Sequence, residues 1–118
     1  MRRGEVWLAS LDPSMGAEAD KTRPVIIVSC DANNRVAERR GYGVVTIVPL
    51  TSNTDRVFDF QALVPADTLT GLSQDSKAQA EHVRSLDFQR LTRPIGALAA
   101  EHLAAVEAGL LVHLGIER

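Results

Sequence analysis

The chain opens on alternation: over residues 5–11, Val6 and Leu8 fall on one side and Trp7 and Ala9 on the other, the period-two pattern of a strand. Asp12 and Pro13 end it. Residues 14–22, SMGAEADKT, have no period and are mostly small or charged, which predicts an exposed, mobile loop. Val25, Ile26, Ile27 and Val28 then follow Pro24 without alternation, and an unbroken β-branched run of this kind predicts a central strand covered on both faces. Residues 31–40 are compatible with a short helix, with Asp31 as its N-cap and Gly41-Tyr42-Gly43 as its stop. A second β-branched run, VVTIVPLTSN, starts at Val44, and Pro49 within it lacks a ladder donor, so this strand is expected at an edge, bulged, or finishing there. Residues 57–64 alternate, with Phe58, Phe60 and Ala62 on one side and Asp59 and Gln61 on the other. Turn signals in LTGLSQD precede a weak short strand over residues 78–83, a brief helical turn over 86–91 and a last strand in RPIGAL. From residue 99 to 114 the apolar positions Leu103, Val106, Leu110, Leu111 and Leu114 recur at helical spacing, an amphipathic helix.

Short strands at regular intervals with one inserted helix and one terminal helix fit an α+β domain built on a small β-barrel, a strongly bent antiparallel sheet. At 118 residues this is a single domain, residues 1–118, and no internal repeat divides it. Hydrophobic residues make up 45% of the chain, enough for a real core. Net charge is −2, which excludes a protein that coats nucleic acid by bulk charge and confines any such contact to a local patch. The single cysteine, Cys30, has no internal disulfide partner, and no Cys or His cluster has zinc spacing, so a reducing compartment and no metal are expected. The basic start MRRGEVWLAS lacks the apolar run of a signal peptide, and no stretch is long enough to span a membrane. A cytoplasmic protein is the expectation.

Three stretches could carry chemistry. Glu18, Lys21 and Arg23 stand within six residues where the loop runs into a buried strand, so an acid and two cations could surround a phosphate; a solvated charged loop would look the same. Thr51, Ser52 and Asn53 follow the second buried strand, either as turn caps or as hydroxyl and amide groups aimed at a ligand oxygen. The stretch DSKAQAEHVR sets Gln79, Glu81 and Val83 on one side of a strand and His82 and Arg84 on the other, with Lys77 just before. Such a polar strip could read unpaired bases, and a solvent-facing edge strand has the same composition. Of the three histidines, His102 and His113 sit on the terminal helix and His82 is alone, so no histidine pair is available for acid–base work. Chemistry here would use a carboxylate and an arginine.

Taken together, RRGEVWLASLDPSMGAEADKTRPVIIVS, VPLTSN and DSKAQAEHVRSLD resemble the MazF/PemK family of toxins of bacterial toxin–antitoxin pairs in order, spacing and content, from Arg3 to about Leu114. The resemblance implies an SH3-like barrel that forms a homodimer. It implies a metal-independent, cofactor-free and sequence-specific endoribonuclease, an mRNA interferase, that cleaves single-stranded RNA and is neutralised by a cognate antitoxin. By the same resemblance Arg23 and Thr51 are catalytic and Glu18 is a loop acid proposed as base, with Glu81 a second candidate for that role. Gln79 and Glu81 match substrate-contacting positions, and Lys21, Ser52, Asn53, Lys77 and Arg84 complete the expected RNA-binding set. Some members carry a histidine where Ala17 stands here, which favours a glutamate-based scheme over a histidine-based one. Relatives that poison DNA gyrase without cleaving anything offer one alternative reading. A plain SH3-like binding module is another, although 4% aromatic residues leave little for a peptide groove.

Overall fold

Val25, Ile26 and Ile27 are completely buried, and the computed structural model, which describes residues 1–11 and 22–117, shows why. They belong to β2 (Arg23–Ile27), which pairs antiparallel with β1 (Glu5–Ala9) on one side and β3 (Val44–Thr51) on the other. Ile26 enters one core with Val6, Val48, Leu50, Val64 and Val106, while Val25 and Ile27 enter a second with Ala9, Val45, Ile47 and Leu86. The strand is thus covered on both faces, as its composition predicts, and each fully buried Val or Ile contributes about 2 kcal/mol.

The remaining strands are β4 (Gln61–Val64), β5 (Ser76–Gln79), β6 (Arg84–Asp87) and β7 (Leu91–Ala97). Sheet order is β4-β5-β3-β2-β1-β7, with β6 also paired to β3, so the antiparallel sheet is open rather than closed. Pro49 lies in a central strand rather than at a sheet edge, two residues before that strand finishes. β3 pairs with β6 through Ile47 and with β5 only from Leu50, and Pro49 falls in the gap between them. The Thr46 carbonyl accepts from Val28 on the β2 side, so by alternation the backbone of Pro49 is directed to the other side, where no partner needs its missing N–H.

Helix α1 (Asp31–Arg40) ends at Gly41, whose N–H donates to the Ala37 carbonyl. Its N-cap is Cys30 rather than Asp31. Asp31 instead accepts from the Arg3 backbone N–H at 2.7 Å. Asn34, also on α1, is fully buried; it donates to the Ser29 carbonyl at 2.9 Å and accepts from the Ser29 hydroxyl at 2.6 Å, fastening the helix to the strand before it. Helix α2 (Ala100–Leu114) buries Val106 and packs Leu103 and Leu110 on the first core, whereas Leu114 is 56% exposed. Neither helix is long and apolar enough to cross a membrane.

Three expected elements are shifted. The 57–64 strand shrinks to β4, because Gln61 closes a turn on Phe58 through both its backbone and its side chain. The Phe58 and Phe60 rings stack on each other at 5.4 Å, with the Arg56 guanidinium over Phe58, instead of lining one face of a strand. The 78–83 strand is β5, followed by a single turn of 3-10 helix at Ala80–His82, so the expected alternation from Gln79 to Arg84 is broken. Leu86 belongs to a strand rather than a helical turn, and the turn itself is Phe88–Arg90, where Asp87 accepts from the Gln89 N–H.

Candidate active site

The β2–β3 register pairs Val25 with Pro49, and continuing it by two residues sets Arg23 across from Thr51. Directly opposed side chains share a face about 5 Å apart at Cβ. Arg23 is thereby held between Ala9 of β1 and Thr51 of β3, with its backbone in a rigid strand and its guanidinium exposed. Thr51 accepts from the Asn53 N–H at 3.3 Å, so it acts as a turn cap while its own hydroxyl proton stays free to donate.

Two clefts meet at this pair. The larger, about 390 Å³, is walled by Arg23, Thr51, Gln79, His82 and Arg84 over a floor of Pro49 and Leu50. Its titratable side chains are two arginines and a histidine with no carboxylate among the described residues, a local positive patch on a chain of net charge −2. Arg84 is steadied by a hydrogen bond from Nη1 to the Leu11 carbonyl at 3.2 Å. The smaller cleft, about 190 Å³, shares Arg23, Leu50 and Thr51 and is completed by Pro24, Ser52, Leu72, Ser73, Gln74 and Ser76.

Of the site residues expected from sequence, Arg23, Thr51, Ser52, Gln79 and Arg84 are brought together. Lys77 stands next to Thr51 in the β3–β5 register, but it is 8% exposed and its ammonium donates to the Arg56 carbonyl, so the structure does not bring it into either cleft. Asn53 also lines neither, and its side chain accepts from the Asp55 N–H. Glu81 turns away on the 3-10 turn: one carboxylate oxygen accepts from Gln61 at 2.7 Å and the other is buried without a partner among the described residues. Glu18 and Lys21 lie outside the described residues. The sequence reading missed the placement of His82, which reaches the cleft because the 3-10 turn breaks strand alternation, and of Ser73 and Gln74, which read only as turn signals.

A family model described as PemK-like, MazF-like toxin of type II toxin–antitoxin system matches residues 2–114. The chain belongs to this toxin family. The toxin is 50% identical over 116 residues to endoribonuclease MazF9 of Mycobacterium tuberculosis, covering 98% of each chain. Its fold is similar to the crystal structure of MazF from Deinococcus radiodurans, with a TM-score of 0.75 at 27% identity over 98% of this chain and 96% of that one. It is also similar to a chain of the MazE–MazF structure from the same organism, with a TM-score of 0.70 at 28% identity over 99% and 98% of the two chains.

Proposed function

We propose that this toxin is a metal-independent, sequence-specific endoribonuclease that cleaves single-stranded mRNA in the cytoplasm, acts as a homodimer, and is neutralised by a cognate antitoxin. The observation that carries the proposal is the Arg23–Thr51 pair, set across two adjacent strands where two clefts meet, in a chain half identical to an endoribonuclease. In the reaction the ribose 2′-hydroxyl gives up its proton and attacks the neighbouring phosphorus, the bond to the 5′-oxygen breaks as that oxygen takes a proton from water in the open cleft, and the products carry a 2′,3′-cyclic phosphate and a 5′-hydroxyl. The guanidinium of Arg23 binds the non-bridging oxygens in bidentate fashion and stabilises the charge that grows on them, an electrostatic contribution that needs no rearrangement because the strand already fixes the residue. The Thr51 hydroxyl donates to a phosphate oxygen. Glu18 takes the 2′-hydroxyl proton, a role that Glu81, engaged by Gln61, does not serve. Arg84 and His82 hold the phosphates of the adjoining nucleotides in the larger cleft.

The antitoxin is proposed to lay an acidic segment along the same positive cleft and cover Arg23. The test of the function is incubation of the purified toxin and of Arg23→Ala with long single-stranded RNAs in excess EDTA, with the fragment ends mapped. Discrete cuts with the stated ends, reduced at least about 1,000-fold in the variant, are expected. Absence of cleavage by the folded wild type, or full activity of Arg23→Ala, overturns the proposal.

A further inference from the structure

The smaller cleft differs from the larger in kind. Apart from the shared Arg23 it has no charged wall among the described residues: Ser52, Ser73 and Gln74 supply hydroxyl and amide groups, and Pro24 and Leu72 supply apolar surface. A phosphate has better partners next door, beside Arg84 and His82. A pocket whose wall beyond Arg23 pairs donors and acceptors with apolar surface matches an unpaired nucleobase, which is held by packing on its face and hydrogen bonds along its edge. Building on the endoribonuclease reading, we propose that Ser73 and Gln74 form a base-reading subsite for one of the two nucleotides flanking the scissile phosphate.

The backbone of this wall is fixed while its side chains are free. In the connection between β4 and β5, Thr70 is buried and donates to the Pro65 carbonyl at 2.8 Å. Asp67 accepts from the N–H groups of Leu69 and Thr70, and Asp75 accepts from that of Ala66 at 2.8 Å. The Ser76 hydroxyl donates to the Gln74 carbonyl at 2.9 Å, and the Leu69 carbonyl accepts from Ala97 of β7. The side chains of Ser73 and Gln74 have no hydrogen-bond partner among the described residues and are exposed to the cleft. An amide presents one donor beside one acceptor, so Gln74 can pair with a base edge that presents the complementary couple, and a fixed backbone keeps that couple in register with Arg23 and Thr51.

The test compares wild type, Gln74→Ala, the double variant Ser73→Ala/Gln74→Ala, and Arg23→Ala. Cleavage sites are mapped on long RNAs, and kcat/KM is measured on oligonucleotides that differ in one base on either side of the cut. The wild type is expected to prefer particular bases at a flanking position. Gln74→Ala should lower kcat/KM for the preferred base at least about tenfold more than for the disfavoured one. Unaltered base preference in the double variant overturns the subsite, as does a loss that is equal for all bases. Those outcomes leave the endoribonuclease reading standing provided that the wild type cuts and Arg23→Ala does not. If the wild type cuts no RNA, both fall together.

Discussion

Gly71 is the residue on which the placement of the smaller cleft can be tested most sharply. Its φ is +71°, and a Cβ there would stand 1.9 Å from the Ile95 carbonyl oxygen of β7 and 2.7 Å from its carbon. Gly41, after α1, has a similar φ of +77° with nothing within 4 Å of the same position. Replacing either with alanine incurs the left-handed strain of about 1 kcal/mol, and both gain alike from the reduced freedom of the unfolded chain. Only Gly71→Ala must also push two backbone segments apart, because the opposing atoms are not the end of a movable side chain. Overpacking of this kind costs about 1–3 kcal/mol, which becomes the expected difference between the two variants.

The assay is urea unfolding of both variants beside wild type, followed by far-ultraviolet circular dichroism. With an m-value of about 1.5 kcal/mol/M, Gly71→Ala should unfold at a midpoint roughly 0.7–2 M below that of Gly41→Ala, with m unchanged. Because the displaced segment carries Ser73 and Gln74, base preference should weaken in Gly71→Ala and stay intact in Gly41→Ala. Midpoints equal to within about 0.3 M would refute the close approach of this segment to β7 and, with it, the argument that the cleft wall is rigid.

Lys77→Met keeps the buried stem but loses the hydrogen bond to Arg56, so it should lower stability by about 1 kcal/mol in a thermal melt and leave the salt dependence of RNA binding unchanged; a slope smaller by about one would instead place Lys77 on a phosphate. Glu81→Gln should retain kcat within about threefold, whereas Glu18→Gln should lose about 100-fold in single-turnover cleavage, and the reverse order would make Glu81 the base. Asn34→Ala, which leaves Ser29 without its buried partner, should cost about 2–3 kcal/mol in urea unfolding with kcat of the folded protein unaffected.

The elements that sequence foretold are those decided by local composition. Val25 to Ile27 could only be a doubly covered strand, and Gly41 could only end a helix, because burial and backbone conformation leave few alternatives to such runs. What sequence misplaced depends on partners distant in the chain. Phe58 and Phe60 alternate as strand residues do, yet Gln61 turns back on Phe58 and the rings stack together. Gln79 to Arg84 also reads as a strand, and one 3-10 turn moves His82 into the cleft and Glu81 out of it. Arg23, Thr51, Gln79 and Arg84 were legible as a set only through likeness to a known family, since spacing alone fitted a solvated loop and an edge strand equally well. Ser73 and Gln74 had no signal beyond turn propensity, because their meaning comes from where β7 and the β4–β5 connection are pressed together.

Pro49 joins the fold to the site. A long strand hydrogen-bonded along its whole length to one neighbour would leave no opening on that side. β3 has two neighbours there, β6 up to Ile47 and β5 from Leu50, and between them the chain steps outward through the Ala80–His82 turn. Buried Pro49 and Leu50 form the floor there, and a proline at that point leaves no unsatisfied N–H under the cleft. On its other edge β3 pairs with β2 through Ile47, Val48 and Pro49, so the register that, continued by two residues, sets Arg23 across from Thr51 runs past the interruption. β3 changes partner on the side of the larger cleft and keeps one partner on the side that aligns Arg23 with Thr51, so the open cleft and the fixed register lie on opposite edges of one strand.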